Sequence, residues 1–580
     1  MWPASAIVVF AVASTTWKGY RFGGSNQAIQ IPLVKHLLDP GLYRGDLLLQ
    51  SFDGYVTYFF RVLAWLAPLA GGLEHLYYVL YIGAHALTLA ALCALAWHLF
   101  RSTNAAVLVC LMHVAQVPSL GAELTYWPRL THGHVATALL LWSVYLYLRG
   151  RTVASLLLCG LTVNIHALYA AHVAALLGFD IVLSRRTRRS AAALALFLLA
   201  ALPSVWWLWR SGVSLSPQAR EAWTEILRER SGLHAFPFSV PAAVYGRYAL
   251  LVATFALALQ ARPEPRTHRR IGNLLGGGVL LVVVGVVFAE MWPVVPVMKA
   301  QLLRSTKWPT FLMLIYIARW LAAAGTASGP SWLTAVLVFL GVWFQQAPFL
   351  AAGIATHLVQ RGSRTPPLGA ATAAVALAVG AWSGAVVFGE RLGLQQMTPA
   401  LHDVLADPLV VTPLALLVVL RTAWDRLSLA RALAATAAGL VLVFAWILPL
   451  SYREAMAANL GEPWSEVQLW AREHTPREAT ILTPPYREGF RVLSERAIVG
   501  EWKDGTQQFF ARPEFVFAWQ ERMLDLGGET RYFDGFSTER VVEAARKYGA
   551  RYVVFAAERP LSLAKLYENA KFAVYSVPAD

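Results

Sequence analysis

Residues 77–100 read YYVLYIGAHALTLAALCALAWHLF, a run without a single Asp, Glu, Lys or Arg. Wound as an α-helix at about 1.5 Å per residue, it extends over about 36 Å, enough to cross the hydrocarbon of a bilayer. Comparable apolar runs lie at 2–16, 105–120, 135–149, 153–163, 167–184, 190–209, 243–261, 273–290, 309–324, 331–344, 346–359, 368–388, 408–421 and 431–450. The pattern predicts an α-helical polytopic membrane protein with about 13–15 transmembrane helices. Tyr55–Ala70 is aromatic and apolar but holds Arg61 and Pro68, which suits a helix lying in the interface.

Charge supports the same reading. Of 580 residues, 57% are hydrophobic and only 14% charged, too few to cover a soluble protein of this size. Basic residues recur in alternate loops: Arg101; Arg149 and Arg151; Arg185, Arg186, Arg188 and Arg189; Arg262, Arg266, Arg269 and Arg270; Arg361 and Arg364; Arg421, Arg426 and Arg431. Short cytoplasmic loops collect such residues, so these loops are expected inside, with Met1 inside as an uncleaved first span begins. The alternation requires 153–184 to be a helical hairpin turning at Asn164–His166. The opposite face then receives 17–76, 121–134, 210–242, 291–308, 389–407 and everything after Tyr452. The expected location is the cytoplasmic (inner) membrane.

From Tyr452 charge rises and apolar runs shorten. Pro463–His474 reads as a helix, Thr480–Leu482 as a strand, Ser537–Tyr548 as a helix stopped by Gly549, and Arg551–Phe555 and Phe572–Val577 as strands. The chain therefore divides into a transmembrane domain, 1–451, with a large first outer loop, 17–76, and a small extracytoplasmic α/β domain, 452–580.

Several functions are excluded. The net charge of +15 is accounted for by basic loops against anionic headgroups, and no nucleic-acid fold signature accompanies it. Cys93, Cys110 and Cys159 lie within apolar runs and read as core residues. No Gly-Lys-Ser/Thr phosphate loop, dinucleotide fingerprint, HExxH helix or Gly-x-Ser-x-Gly elbow occurs, so an activated substrate has to arrive in or through the membrane.

The candidate chemistry lies in the outer segments. Asp39 precedes Pro40 and suits a turn; Asp46, after Gly45, suits either a general base or metal ligand, or a helix cap. Glu123, Tyr126, Trp127, Arg129, His132 and His134 form a second group, which could bind a divalent ion or position a phosphate, or could be an aromatic belt. His166, at the hairpin mouth, either lines a cavity or is a satisfied core group. Lys299, Arg304 and Lys307 suit a phosphate or pyrophosphate, or else solvated anchoring at the interface.

The layout, with many spans, a large first outer loop and a C-terminal domain on the same face, resembles the GT-C superfamily. That superfamily includes protein O-mannosyltransferases, aminoarabinose transferases and oligosaccharyltransferases. The stretch from Asp39-Pro40 through Leu42-Tyr43 to Asp46 is similar to the first-loop signature of a bacterial branch. So are Trp470–Pro476, Ile481–Pro485, Gly489-Phe490-Arg491, Ser494-Glu495-Arg496 and Glu501-Trp502-Lys503 in the tail. The resemblance implies transfer of a sugar from a polyprenyl-phosphate-linked donor to a glycan or protein acceptor at the membrane lipid surface. It implies Asp46 as base with Glu123 assisting and Asp39 as a further catalytic candidate, Arg304, Lys307, His166, His132 and His134 as phosphate-binding groups, and a divalent cation as a cofactor that such a site can take. One departure is local: the family places an acidic residue soon after span one, where this chain has Asn26-Gln27. The alternatives are a non-catalytic binder of lipid-linked glycan or partners, and a transporter.

Overall fold

Apolar helices make up most of the protein, and a short mixed sheet closes its C-terminal end. The computed structural model describes residues 4–185, 187–210, 215–260, 263–326, 329–362, 448–506 and 508–578. The expected spans 368–388 and 408–421, nearly all of 431–450, and Arg364, Arg421, Arg426 and Arg431 lie outside the described residues.

Among the described residues three helices, Leu73–Phe100, Ser190–Arg210 and Pro265–Met291, are long and apolar enough to cross a membrane. Shorter apolar helices, including Thr103–Val114, Ala242–Ala258, Trp332–Trp343 and Ala347–Gln360, stand where hydropathy places spans. The protein is thus a helical membrane protein with a small α/β C-terminal region. The Phe59–Leu66 helix buries Phe60 and Leu63 and exposes Val62 and Trp65, the two-sided pattern of an interfacial element.

The hairpin is present as Thr152–Val163 and Ala167–Leu183, turning at Asn164–His166. The Asn164 side chain fixes that turn to the Thr187–Arg210 helix. Its Nδ2 donates to Ala200 O at 2.8 Å, and its Oδ1 accepts from Ser204 N at 3.2 Å. In a regular helix the Ser204 N–H would bond to Ala200 O, so the amide is inserted between two groups that otherwise meet each other. Pro203 lies next to the opening.

The run expected as a span at 105–120 ends early. Helix Thr103–Val114 is followed by Gln116 in the left-handed region and by Pro118, which cannot donate to a helix. The chain instead forms an antiparallel ribbon of β1 (Pro118–Ser119) and β2 (Glu123–Leu124), with Ser119 opposite Glu123.

In the C-terminal region, β3 (Thr480–Leu482), β4 (Ala497–Ile498), β5 (Tyr552–Ala556), β6 (Lys565–Glu568) and β7 (Phe572–Ser576) form one sheet in the order β4-β3-β5-β7-β6. The first three strands are parallel, and β7 runs antiparallel to both β5 and β6. Helix Pro217–Ala235, in the segment 210–242, shares a core with this region through Trp223, Ile226 and Leu227 against Phe509 and Trp519. Trp223 Nε1 donates to Phe509 O at 2.9 Å.

The first loop is joined to the same region by a buried charge network. Arg491 is wholly buried; its Nε donates to Asp46 Oδ2 at 2.7 Å, and its two terminal nitrogens donate to the Asp504 oxygens at 2.8 Å each. Glu501 stands 4.0 Å from the same guanidinium and accepts from Gly489 N and Phe490 N. Burial pushes the Glu501 carboxyl up, Arg491 lowers it, and the adjacent Asp504 raises it by less than Arg491 lowers it. Gly489 has φ +87° and its Cα lies so close to the first loop that a Cβ would meet Gly23 O at 2.6 Å. Lys35 adds bonds to Val492 O at 2.9 Å and Glu495 at 2.6 Å.

Substituting Arg491→Met should cost about 3–5 kcal/mol, because it leaves buried carboxylates without their shared cation. Thermal unfolding in detergent checks this, and Arg491→Lys should fall between the two, since one ammonium cannot reach both Asp46 and the paired oxygens of Asp504.

Candidate functional site

The β1–β2 turn delivers Glu123 to a pair of cations. Gly121, with φ +70°, presses against the 303–304 backbone so tightly that a Cβ would lie 2.7 Å from Arg304 N. A glycine is required there on both counts. Glu123 is 3% exposed. Its Oε1 accepts from Arg304 Nε at 2.6 Å and from a second nitrogen of the same guanidinium. Its Oε2 accepts from the Tyr169 hydroxyl and lies 3.4 Å from Lys307 Nζ. Arg304 also donates to Gln301 Oε1 at 2.6 Å. Two cations on one carboxylate leave a net positive charge in a largely buried setting.

An aromatic column stands beside this group. The His132 ring stacks on His166 at 4.4 Å between centroids, and His166 stacks on Tyr169 at 3.9 Å. Lys307 Nζ lies 4.6 Å from the Tyr169 ring centroid, within cation–π range. His132 is reached from the first loop by Gln30 Nε2, 2.8 Å from its Nδ1. Gln27, one turn earlier, donates to Leu130 O at 2.8 Å. His234, on the Pro217–Ala235 helix, holds Gly121 O through Nδ1 at 2.7 Å. Four separate outer segments therefore converge on one place.

Among the residues singled out by sequence, Glu123, His132, His166, Arg304 and Lys307 come together. Three others do not. Asp46 is 0% exposed, with Leu48 N, Arg491 Nε and Ile498 N all donating to it, which makes it both the cap of a short helix and an ion-pair partner. It presents no free edge to a ligand, unlike the base expected from the first loop. Asp39 is half exposed, bonds Gly41 N at 3.0 Å and pairs with Arg477. His134 faces a different cluster, with Nδ1 3.1 Å from Arg129 O and its ring edge-on to Tyr81 at 5.3 Å. Sequence reading missed Tyr169, Gln30 and Gln301. Tyr169 carried a weak signal, three residues past His166, whose ring Nδ1 caps its backbone N–H at 3.3 Å. Among the described residues no group of three or more His, Cys, Asp or Glu side chains is placed to hold a metal ion.

Glu123 lies in a turn outside the apolar helices. Burial alone pushes its carboxyl up, but Arg304, Lys307 and the Tyr169 hydroxyl outweigh burial and hold it down to about 2. Arg304 is pulled down by burial and raised above its ordinary value by Glu123 and Tyr169, so it stays charged. In this state Glu123 is a weak base, and its basicity depends on what occupies the two cations.

Comparison with known proteins adds little beyond this geometry. Residues 462–526 match a domain of unknown function, DUF6798. No curated protein is similar to the chain in sequence. A crystal structure of ArnT from Cupriavidus metallidurans, bound to undecaprenyl phosphate, is similar at a TM-score of 0.42 and 14% identity, covering 99% of this chain and 97% of that one. A likeness of that degree fixes no activity.

Because Glu123 is held at about 2 against an ordinary value of 4.5, its contribution is present above pH 4.5 and lost as pH falls toward 2. That contribution is about 3 kcal/mol. Glu123→Gln should be the less stable protein at neutral pH, with the gap to wild type closing below pH 4.5, as thermal unfolding in detergent across pH 7 to 3 would report. Gly121→Ala should cost about 1–3 kcal/mol, because the added methyl forces the turn away from Arg304.

Proposed function

We propose that this protein is a membrane glycosyltransferase of the GT-C type. It takes a sugar from a polyprenyl-phosphate-linked donor and passes it to a glycan or protein acceptor, with the C-terminal region outside the cytoplasmic membrane. The observation that carries the reading is the surplus of buried positive charge at Arg304 and Lys307, set where the first loop, the β1–β2 turn and the hairpin tip meet. A lipid phosphate satisfies that surplus without having to leave the bilayer.

Glu123 and the phosphate compete for the same cations. When phosphate oxygens draw Arg304 and Lys307, the carboxylate loses the charges that hold it at about 2 and becomes a competent base. The acceptor hydroxyl oxygen then bonds to the anomeric carbon, its proton passes to Glu123, and the bond from that carbon to the phosphate oxygen breaks with the electron pair leaving on the phosphate. Arg304 and Lys307 stabilise the departing charge. In this scheme the base is Glu123, while Asp46 holds the first loop against the C-terminal region.

A second reading, a binder of lipid-linked glycan without transfer, draws support from one fact: Asp39, Asp46 and Glu123 are all engaged in ion pairs. Transfer from radiolabelled polyprenyl-phosphate sugars, measured in membranes with expression and lipid retention checked, separates the two. Glu123→Gln should lower transfer about 10²-fold or more while lipid is retained. Arg304→Gln should lose lipid as well. Retained lipid without transfer by the wild type, over a broad acceptor panel, would leave the binder; no retained lipid would remove both.

A further inference from the structure

Where the first loop, the start of a membrane helix and the C-terminal region meet, they form an open cavity of about 590 Å³. That volume lies within the range of small-ligand pockets, about 300–1,000 Å³. None of the residues gathered around Glu123 lines it. Leu73 and Glu74 do, and they open the Leu73–Phe100 helix. Because that helix is long enough to cross the bilayer, its first turn lies at the depth of lipid headgroups. Trp65 and Leu69, just before it in the chain, are both exposed, as side chains dipped into lipid are.

Two ion pairs in the cavity wall are closed on themselves, Lys35 with Glu495 and Arg477 with Asp39. Three further charged groups in the wall have no such partner. Arg496 is buried and has all five of its N–H groups on neutral acceptors, Thr475 Oγ1 and the carbonyls of Arg472, Thr475, Ser494 and Glu495, at 2.5–3.3 Å. Among the described residues no carboxylate pairs with it, and its hold on Arg472 O fixes the end of the Pro463–His474 helix. The Arg472 guanidinium and the Glu74 carboxylate have neither a hydrogen bond nor an ion pair among the described residues. Glu74 is half-buried in the first turn of its helix, where the helix N-terminus favours the charged carboxylate. Glu478 lies within electrostatic reach of Arg496, and His36 of Asp39, but neither lines the cavity.

A ligand that answers these groups carries both an anion and an ammonium. Arg472 offers the paired N–H donors that fit phosphate oxygens, and Arg496 adds positive charge without donors to spare. A primary ammonium brings N–H donors for Glu74, which a quaternary ammonium lacks. Leu38, Leu42 and Leu73 supply apolar wall for carbon.

We infer that this cavity binds an aminophospholipid of the surrounding bilayer, with its phosphodiester at Arg472 and its primary ammonium at Glu74. Such a headgroup joins the first loop, the membrane helix and the C-terminal region through one ligand. The same chemistry, a phosphodiester with a primary ammonium, occurs in water-soluble glycerophosphoethanolamine; the depth of Glu74 favours the lipid.

The test is native mass spectrometry of the full chain in detergent, reading the first bound lipid during titration with phosphatidylethanolamine, phosphatidylcholine or phosphatidylglycerol of the same acyl chains. The wild type should bind phosphatidylethanolamine about tenfold or more tighter than either of the others. Glu74→Gln should remove that preference while phosphatidylglycerol binds no more weakly than before, which also reports an intact fold. Arg472→Gln should weaken phosphatidylethanolamine by about tenfold. Glycerophosphoethanolamine should compete only at about a hundredfold or more above the lipid concentration, because it brings no acyl chains. Wild-type binding without preference for the primary amine, a preference that survives Glu74→Gln, or binding untouched by Arg472→Gln overturns the inference. Competition by glycerophosphoethanolamine on a par with the lipid overturns the lipid occupant and gives the cavity to a soluble ligand.

Discussion

Arg491 is the point on which the arrangement of this protein turns. A guanidinium with no solvent contact meets Asp46 from the first loop and Asp504 from the C-terminal region, with Glu501 a little farther away. Burying a guanidinium is costly unless its donors are met, and here three nitrogens are bound to carboxylates from two distant parts of the chain. Burial pushes the Glu501 carboxyl up, with Asp504 beside it adding to the rise, while Arg491 and the bonds from Gly489 N and Phe490 N oppose it. Asp46 is thereby held both to Arg491 and to Ile498 N at the sheet edge.

The membrane side has the opposite charge balance. There one acid, Glu123, is shared between two cations, and the Tyr169 hydroxyl at the end of the His132–His166–Tyr169 column bonds to it. The two networks are complementary in sign, one rich in carboxylate and the other in cations. Both are buried, both join segments far apart in sequence, and both would be strained in isolation.

Much of the helical part was legible because hydropathy reports burial in lipid directly. The hairpin was legible for a different reason: Arg151 and the Arg185–Arg189 cluster could share a side only if 153–184 turned back. In the C-terminal region the Pro463–His474 helix and the Thr480–Leu482 strand were marked by their own prolines and short apolar run. Strands β4 and β6 were not, since two residues such as Ala497–Ile498 carry no periodicity, and Lys565–Glu568 is largely exposed. The premature end of the 105–120 run was written in Pro118 and Gly121, but apolar composition masked it. At the site, residue type alone found Glu123, Arg304 and Lys307. It could not separate the roles of Asp46, because a helix cap, an ion-pair partner and a base all ask for the same side chain, and the partner that decides among them is 445 residues away.

The Asn164 amide set into the Thr187–Arg210 helix has a mechanical meaning. That helix exposes Leu198, Leu199, Leu202, Trp206 and Trp209, the surface that lipid would cover. Two residues beyond Asn164 lies His166, in the middle of the aromatic column. The graft ties that helix to the turn that carries the ring stack of His132, His166 and Tyr169. A tilt of that helix, as a thicker or thinner bilayer imposes on long apolar helices, would therefore pull on the turn that carries His166.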